Sequence, residues 1–175
     1  MLPSVFQGNY NAFSRHIESN LFPTLRKLNI RFNAYSPIAG GFLVKDPVKL
    51  RSGDTEGRFG PNSKSGRLYT TLYSKEPLFQ ALEEWAEIAK NAGVSKAELA
   101  YRWTAYHSSL DAKLGDGIIV GASKSSQLEE TLTALEKGPL DEKTAEKVDE
   151  LWKKIENDAP LDNYHDFTAL TGTTR

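Results

Sequence analysis

The sequence of 175 residues predicts an α/β fold with three parallel strands. Three short apolar runs, at residues 4–7, 30–36 and 117–121, are typical of strands that are buried on both faces. Segments with apolar residues at a spacing of three to four lie between and after these runs, and they indicate amphipathic helices. Alternation of strands and helices favours a parallel sheet with right-handed crossovers.

The helical segments are predicted from five apolar stripes. They are Ile17, Leu21, Leu25 and Leu28; Leu78, Leu82, Trp85 and Ala89; Leu99, Trp103, Tyr106 and Leu110; Leu128, Leu132 and Leu135; and Val148, Leu151, Trp152 and Ile155. Pro77 suits the first turn of the second helix. Ser95 with Glu98, and Ser126 with Glu129, have the spacing of capping boxes at the third and fourth helices.

Two segments lack this periodicity. Residues 37–75 are rich in Gly, Ser, Pro and charge, which predicts a long surface loop inside a domain of residues 1–158. Residues 159–175 are also non-periodic, and we expect a partly mobile C-terminal tail.

Composition narrows the class of protein. Lys and Arg total 22 and Asp and Glu total 23, so no electrostatic attraction to nucleic acid or to a membrane is expected. The sequence has no cysteine, its three histidines lack metal-ligand spacing, and it has no apolar run of about 20 residues that could span a bilayer. The first residues do not resemble a secretory signal, so a soluble cytoplasmic protein is the expectation.

Polar residues at the predicted strand ends are the candidates for ligand binding, because parallel α/β folds bind ligands at the carboxyl ends of strands. Gln7 and Tyr10 follow the first strand, and an amide beside an aromatic ring suits a planar, amide-bearing heterocycle. A polar turn with a half-buried tyrosine is the alternative. After the second strand, Ser36, Gly40 and Gly41 would let backbone N–H groups approach a phosphate, although a turn with positive φ explains them equally well.

A third candidate follows the last strand. Gly121 ends an apolar run, and Ser123 and Lys124 then lead into a helix N-terminus, where free N–H groups and the helix dipole favour an anion. An ordinary capped helix with incidental serines is the alternative.

Together these segments resemble the C-terminal half of an aldo-keto reductase of the aflatoxin-aldehyde-reductase branch. The resemblance is carried by "FQGNYNAFSRHIESNLFPTLRKLNIRFNAYSPIAGGFL" (residues 6–43), "GRF" (57–59), "AELAYRW" (97–103) and "GASKSSQLEE" (121–130). It covers roughly residues 4–157. It implies the last three strands of a (β/α)8 TIM barrel whose members reduce aldehydes and ketones with NADP(H).

The resemblance also implies roles for ten residues. Gln7 would bind the nicotinamide carboxamide and Tyr10 would stack on the nicotinamide ring, while Ser36, Ile38 and Gly40 would line the pyrophosphate. The adenosine 2′-phosphate end would be held by Gly121, Ser123, Lys124, Gln127 and Glu130. Thr131 stands where the family usually has an asparagine facing the adenine, and Thr70 and Leu72 stand where this branch often has arginines beside the substrate.

The resemblance assigns no catalytic residue to this chain, because the family's Asp, Tyr, Lys and His tetrad belongs to earlier strands. A barrel of this type typically needs about 250 residues. We therefore expect a cofactor-binding half that acts on a small carbonyl substrate and either self-associates or binds a partner that completes the barrel. A non-catalytic nucleotide-binding or regulatory module with the same fold is the alternative.

Overall fold

The sheet is parallel and holds three strands in the part of the chain that the structure describes. The computed structural model describes residues 3–55, 57–60 and 66–162, with residues 165, 168 and 172. Strands β1 (Val5–Asn9), β2 (Arg31–Tyr35) and β3 (Gly117–Ile118) lie in the order β1-β2-β3, and both pairings are parallel. The predicted parallel α/β arrangement is confirmed, and it is consistent with part of a β/α barrel.

Each of the five predicted stripes lies on helical structure, and two further helices, at residues 47–52 and 66–73, form where the sequence predicts none. They are α1 (Ile17–Asn20), α2 (Phe22–Lys27), α3 (Pro47–Ser52), α4 (Gly66–Tyr73), α5 (Glu76–Asn91), α6 (Lys96–Tyr106), α7 (Ser125–Glu136) and α8 (Glu142–Ile155). The first stripe is divided between α1 and α2, because Pro23 lies in the first turn of a second helix. Leu110 lies beyond the end of α6.

One face of the sheet is covered by helices. The other, which we call the open face, is less covered, although Asn9 at the end of β1 is buried on it. Side chains alternate between the two faces of a strand. On β2, Phe32 and Ala34 are completely buried, whereas Asn33 and Tyr35 are only partly buried on the opposite face. Gln7 of β1 lies opposite Asn33 in the register and is exposed. The open face therefore carries polar side chains toward the carboxyl ends of β1 and β2.

The prediction of a long surface loop at residues 37–75 is wrong. The segment contains a 3-10 turn at Ala39–Val44, helix α3, a second 3-10 turn at Gly57–Phe59, and helix α4. It buries an aromatic cluster, defined as Phe42, Phe59, Tyr69 and Tyr73, in which the Phe42 and Tyr73 ring centroids are 4.8 Å apart. The sequence did not indicate this cluster, because its aromatic residues are widely spaced among many Gly, Ser and charged residues. Residues 56 and 61–65 lie outside the described part.

Helix α7 differs from its predicted packing. Leu128 and Leu132 are 41% and 49% exposed, and the buried side chains of the helix are Thr131 and Ala134. The helix begins at Ser125 with Lys124 as its N-cap residue and no side-chain cap hydrogen bond, so the predicted capping box at Ser126 is wrong. The box at the start of α6 forms, since the hydroxyl of Ser95 accepts a hydrogen bond from the Glu98 N–H at 3.0 Å.

A buried carboxylate holds β3 in the sheet. The side chain of Asp116, just before β3, is completely buried and accepts hydrogen bonds from Arg26 Nη1 at 3.0 Å and Nη2 at 2.6 Å. It also accepts from the backbone N–H groups of Phe32 at 2.7 Å and Asp111 at 2.9 Å. Because β3 pairs through only two residues, these bonds carry much of its attachment.

The beginning of the predicted tail packs against the domain. Ala159 and Pro160 are buried, and the Pro160 carbonyl accepts a hydrogen bond from Ser14 Oγ at 3.0 Å. Most of residues 163–175 lie outside the described part, so the predicted mobility of the tail stays a prediction there.

Candidate functional site

The open face presents two polar side chains at the carboxyl ends of β1 and β2. Gln7 is exposed, and Tyr35 is partly buried at the last position of β2, paired in register with Asn9. Burial, with smaller contributions from Asp162 and Tyr69, raises the pKa of Tyr35 above its ordinary value. An amide and an aromatic ring are thus available on one face, as the sequence predicts, but the ring belongs to a different tyrosine.

Tyr10 lies on the helix-covered side and is completely buried. Its ring packs against Phe22 and Trp103, with centroids 5.4 and 6.2 Å away. Its hydroxyl donates to Glu18 Oε1 at 2.6 Å and accepts from the Ser109 N–H at 2.9 Å. Burial, together with the Glu18 carboxylate, raises the pKa of Tyr10 far above its ordinary value. This burial does not favour stacking of Tyr10 on a cofactor ring, and that role stays a prediction.

The backbone is strained where β2 leads into the following turn. We call residues 36–41 the β2 turn; Ser36, Ala39, Gly40 and Gly41 have φ of 57°, 52°, 66° and 105°. Left-handed φ is unfavourable for residues other than glycine, and strained backbone of this kind clusters at functional sites. Asn11 holds one end of the turn, because its Nδ2 donates to the Ser36 carbonyl at 3.1 Å.

The beginning of α7 is open to solvent. All residues from 121 to 130 are exposed. The Oε1 atom of Gln127 accepts hydrogen bonds from both the N–H and the hydroxyl of Ser123, each at 3.0 Å. This side-chain bridge fixes the approach to the helix and leaves the Lys124 ammonium free to face a ligand or solvent.

A groove of about 630 Å³ connects the β2 turn to α7. Four of the predicted residues, Ile38, Gly121, Gln127 and Glu130, line it. The rest of the wall comes from α6 and its neighbours and includes Val44, Ser95, Glu98, Tyr101, Thr131 and Lys137. Of these, only Thr131 was indicated by the sequence, at the position that faces the adenine in the family. Gln7, Ser36, Gly40, Ser123 and Lys124 are not in this wall, so the predicted residues divide between the groove and its surroundings.

One side of the groove contains a charge network around Glu98, whose side chain is only 10% exposed. Its two carboxylate oxygens are each 2.8 Å from a cation, Arg102 Nη1 and Lys137 Nζ. Burial works to raise the pKa of Glu98, but the hydrogen bonds from Lys137 and Arg102 together hold it below its ordinary value. Thr131 donates its hydroxyl to the Gln127 carbonyl at 2.8 Å, so that donor is used within α7.

Comparisons with known proteins identify the family once this geometry is considered. The sequence model of the aldo/keto reductase family matches residues 1–153. The chain belongs to the aldo/keto reductase family.

Among similar proteins, an oxidoreductase called sirO from Leptosphaeria maculans is 42% identical over 160 residues, which are 91% of this chain and 48% of that protein. An aldo-keto reductase from Pseudocercospora fijiensis is 40% identical over 161 residues, 90% of this chain and 54% of its own. Human aflatoxin B1 aldehyde reductase member 2 is 37% identical over 166 residues, which are 91% of this chain and 46% of that protein. The chain thus spans about half the length of these relatives.

Within the described ranges, no group of three or more metal-binding side chains is found. The same residues contain no helix that is both long and apolar enough to cross a membrane.

Proposed function

We propose that this chain is the cofactor-binding half of an NADP(H)-dependent reductase that converts aldehydes and ketones to alcohols. The groove carries the proposal, because it brings Ile38 together with Gly121, Gln127 and Glu130 from a distant part of the chain. A volume of about 630 Å³ lies within the usual range of small-molecule and cofactor sites.

The proposed cofactor contacts follow the path from the sheet to α7. Gln7 binds the nicotinamide carboxamide, and Tyr35, in place of Tyr10, stacks on the nicotinamide ring. The β2 turn lines the diphosphate through Ser36, Ile38 and Gly40. These positions are supported by the exposure of Gln7, the partial burial of Tyr35 and the positive φ values of the turn.

The 2′-phosphate end is proposed to lie at the beginning of α7. Ser123 and Lys124 are exposed there, and Gln127 is oriented by its two bonds to Ser123. Helix N-terminal N–H groups and a lysine attract a dianion. Gly121 leaves space for the ligand, since an added Cβ would meet no atom within 4 Å.

Chemistry at the carbonyl needs a proton as well as a hydride. Bound NADPH supplies the hydride. The proton normally comes from a tyrosine whose acidity a cation raises, whereas the Tyr10 hydroxyl is bonded to a carboxylate and has a raised pKa. Tyr10 is therefore not assigned as the proton donor, and we propose that no tyrosine in the described ranges supplies the proton, so that the chain binds cofactor without unaided turnover.

A partner, or a second copy, is proposed to cover the open edges of the sheet. Val5 and Phe6 of β1 are 36% and 41% exposed, and Ile119, just past β3, is 38% exposed. Open strand edges with apolar side chains favour association. Sedimentation velocity over a range of concentrations tests this proposal, and a monomer that stays monodisperse at every concentration would contradict self-association. The absence of nucleic-acid partners and a cytoplasmic location stay predictions from composition.

The binding experiment is a fluorescence titration of the chain with NADPH and NADH. We expect weak binding that favours NADPH, and Ser123→Ala combined with Lys124→Ala should reduce that preference several-fold, the size expected for exposed charges of about 0.2–1 kcal/mol each. Lys153→Ala, at an exposed lysine of α8, removes the same charge elsewhere and should leave the preference unchanged.

Three results decide the matter. Equal weakening toward both cofactors would mean that residues 123–127 are structural. Failure of the parent chain to bind either cofactor would refute the proposed function. Steady reduction of a simple aromatic aldehyde by the pure chain would contradict the claim that it lacks a proton donor.

A further inference from the structure

The β2 turn needs an external restraint, because two of its left-handed residues, Ser36 and Ala39, are not glycine. Asn11 restrains the first of them through the Ser36 carbonyl. Gly40 lies near the other end of the turn, and its neighbour in space comes from helix α4.

Tyr69 presses its ring against Gly40. A Cβ added to Gly40 would lie 2.0 Å from Cε1 and 2.6 Å from Cζ of Tyr69, far inside van der Waals contact. Gly40 thus needs both a positive φ and the absence of a side chain. Gly53 differs, since its φ is 73° but an added Cβ would meet nothing within 4 Å.

The Tyr69 ring cannot easily retreat. It is 7% exposed, and the Phe59 ring centroid lies 5.2 Å away while Tyr73 stacks at 6.5 Å. Its hydroxyl accepts a hydrogen bond from Arg58 Nη1 at 3.3 Å. These contacts with Phe59, Tyr73 and Arg58 therefore restrain the position of the ring.

We propose that Tyr69 is a positioning residue for cofactor binding. Its ring keeps Gly40 in the left-handed conformation and so holds the N–H groups of Ile38 and Gly40 in place for a diphosphate, whereas those of Ala39 and Gly41 donate within the turn. The inference rests on the proposed function, in which this turn lines the diphosphate, and it adds a residue of α4 that does not itself contact the cofactor.

The test compares two ligands that share one end. NADPH carries a diphosphate, whereas adenosine 2′-monophosphate carries the 2′-phosphate alone. In the 175-residue chain, Tyr69→Ala should weaken NADPH binding about 10-fold, as expected for the loss of one or two hydrogen bonds to phosphate, and leave adenosine 2′-monophosphate binding within about 2-fold. Tyr69→Phe keeps the ring and should bind NADPH as the parent chain does.

Glycine variants test the contact itself. Gly40→Ala should also weaken NADPH binding selectively, and Tyr69→Ala added to it should restore part of the loss, because removal of the ring leaves room for the new methyl group. Gly53→Ala pays a similar backbone cost without the steric conflict, and it should change the affinity for neither ligand.

The outcomes separate this inference from the proposed function. A parent chain that binds no NADPH would refute both. If the parent chain binds NADPH but the Tyr69 variants weaken the binding of both ligands equally, the ring is purely structural and the inference alone is overturned. A double variant that shows no rescue would overturn it as well. If Tyr69→Ala does not fold by circular dichroism, Tyr69→Leu, which retains apolar volume without the flat ring, is measured by the same ligand pair.

Discussion

Replacing Asp116 by asparagine tests whether a buried carboxylate holds β3, and with it the chain that leads to the groove. The carboxylate accepts four hydrogen bonds, two from the Arg26 guanidinium and two from backbone N–H groups. An asparagine oxygen can keep two of these donors, but its NH2 group faces the other two. The variant also leaves the Arg26 charge without its partner.

The cost can be worked from this arrangement. Breaking a buried ion pair by changing one partner costs about 3–5 kcal/mol. The Arg26 side chain is 25% exposed and can recover some hydration. We therefore expect the free energy of unfolding at pH 7 to fall by about 3 kcal/mol, at the lower end of that range. Urea unfolding followed by circular dichroism measures this difference.

The difference should depend on pH with a definite sign. Burial works to raise the pKa of Asp116, but the bonds from Arg26 and the backbone outweigh burial and lower the pKa in the folded chain. The carboxylate therefore contributes stability above its ordinary pKa of about 4, and this stability is lost as the pH falls through the lowered value. The gap between the parent chain and Asp116→Asn should narrow in acid.

Hydrogen exchange locates the effect. The Ile119 N–H donates to the Ala34 carbonyl at 2.8 Å, just past β3, and its exchange should quicken in Asp116→Asn. Asp54→Asn makes the same charge change at an exposed site and should alter neither stability nor exchange. A loss below about 1 kcal/mol, typical of an exposed ion pair, or a gap that does not change with pH, would refute the reasoning.

Three further substitutions probe the site and its surroundings. Tyr10→Phe removes the hydrogen bond to the Glu18 carboxylate and should lower the free energy of unfolding by about 1–3 kcal/mol without changing the affinity for NADPH. Weaker NADPH binding at unchanged stability would instead support a cofactor role for this ring. Glu98→Gln should lower the free energy of unfolding by about 2 kcal/mol at neutral pH and by less in acid, because the pKa of Glu98 is lowered in the folded chain and its carboxylate stabilises the fold only above that pKa. Urea unfolding at two pH values measures this difference, and a loss that does not change with pH would contradict it. Asn11→Ala removes the side-chain bond to the Ser36 carbonyl, which then accepts only from the Ala39 N–H, and it should weaken NADPH binding more than adenosine 2′-monophosphate binding in fluorescence titrations. Equal effects would show that Asn11 only stabilises the fold.

The sequence alone determined the order of the three strands and of most helices, though not of α3 and α4, because burial of regular elements imposes a period on apolar residues. Local periodicity is enough to predict the apolar runs at 30–36 and 117–121 and the stripes on α5, α6 and α8, without knowing which segments pack against them. The strand ends were also predictable, and they indicated Gln7 and the β2 turn. Resemblance over residues 4–157 supplied the family, which the comparison with residues 1–153 confirmed.

The tertiary structure decided which side chains face the ligand and which are buried. Tyr35 is the last residue of β2, and Tyr10 directly follows β1. Only the structure shows that Tyr10 points to the covered face and packs against Phe22 and Trp103, while Tyr35 remains on the open face. Local sequence cannot settle this, because a shift of one residue at a strand end reverses the direction of every side chain.

The same limit applies to the groove and its supports. Glu98 meets Lys137, and Tyr69 meets Gly40, only because helices distant in the chain pack together. Helix α7 showed an apolar stripe, yet Leu128 and Leu132 remain exposed, since the described residues provide no surface to cover them. Periodicity determines that a helix has an apolar face, whereas contacts between distant segments determine what, if anything, that face is packed against.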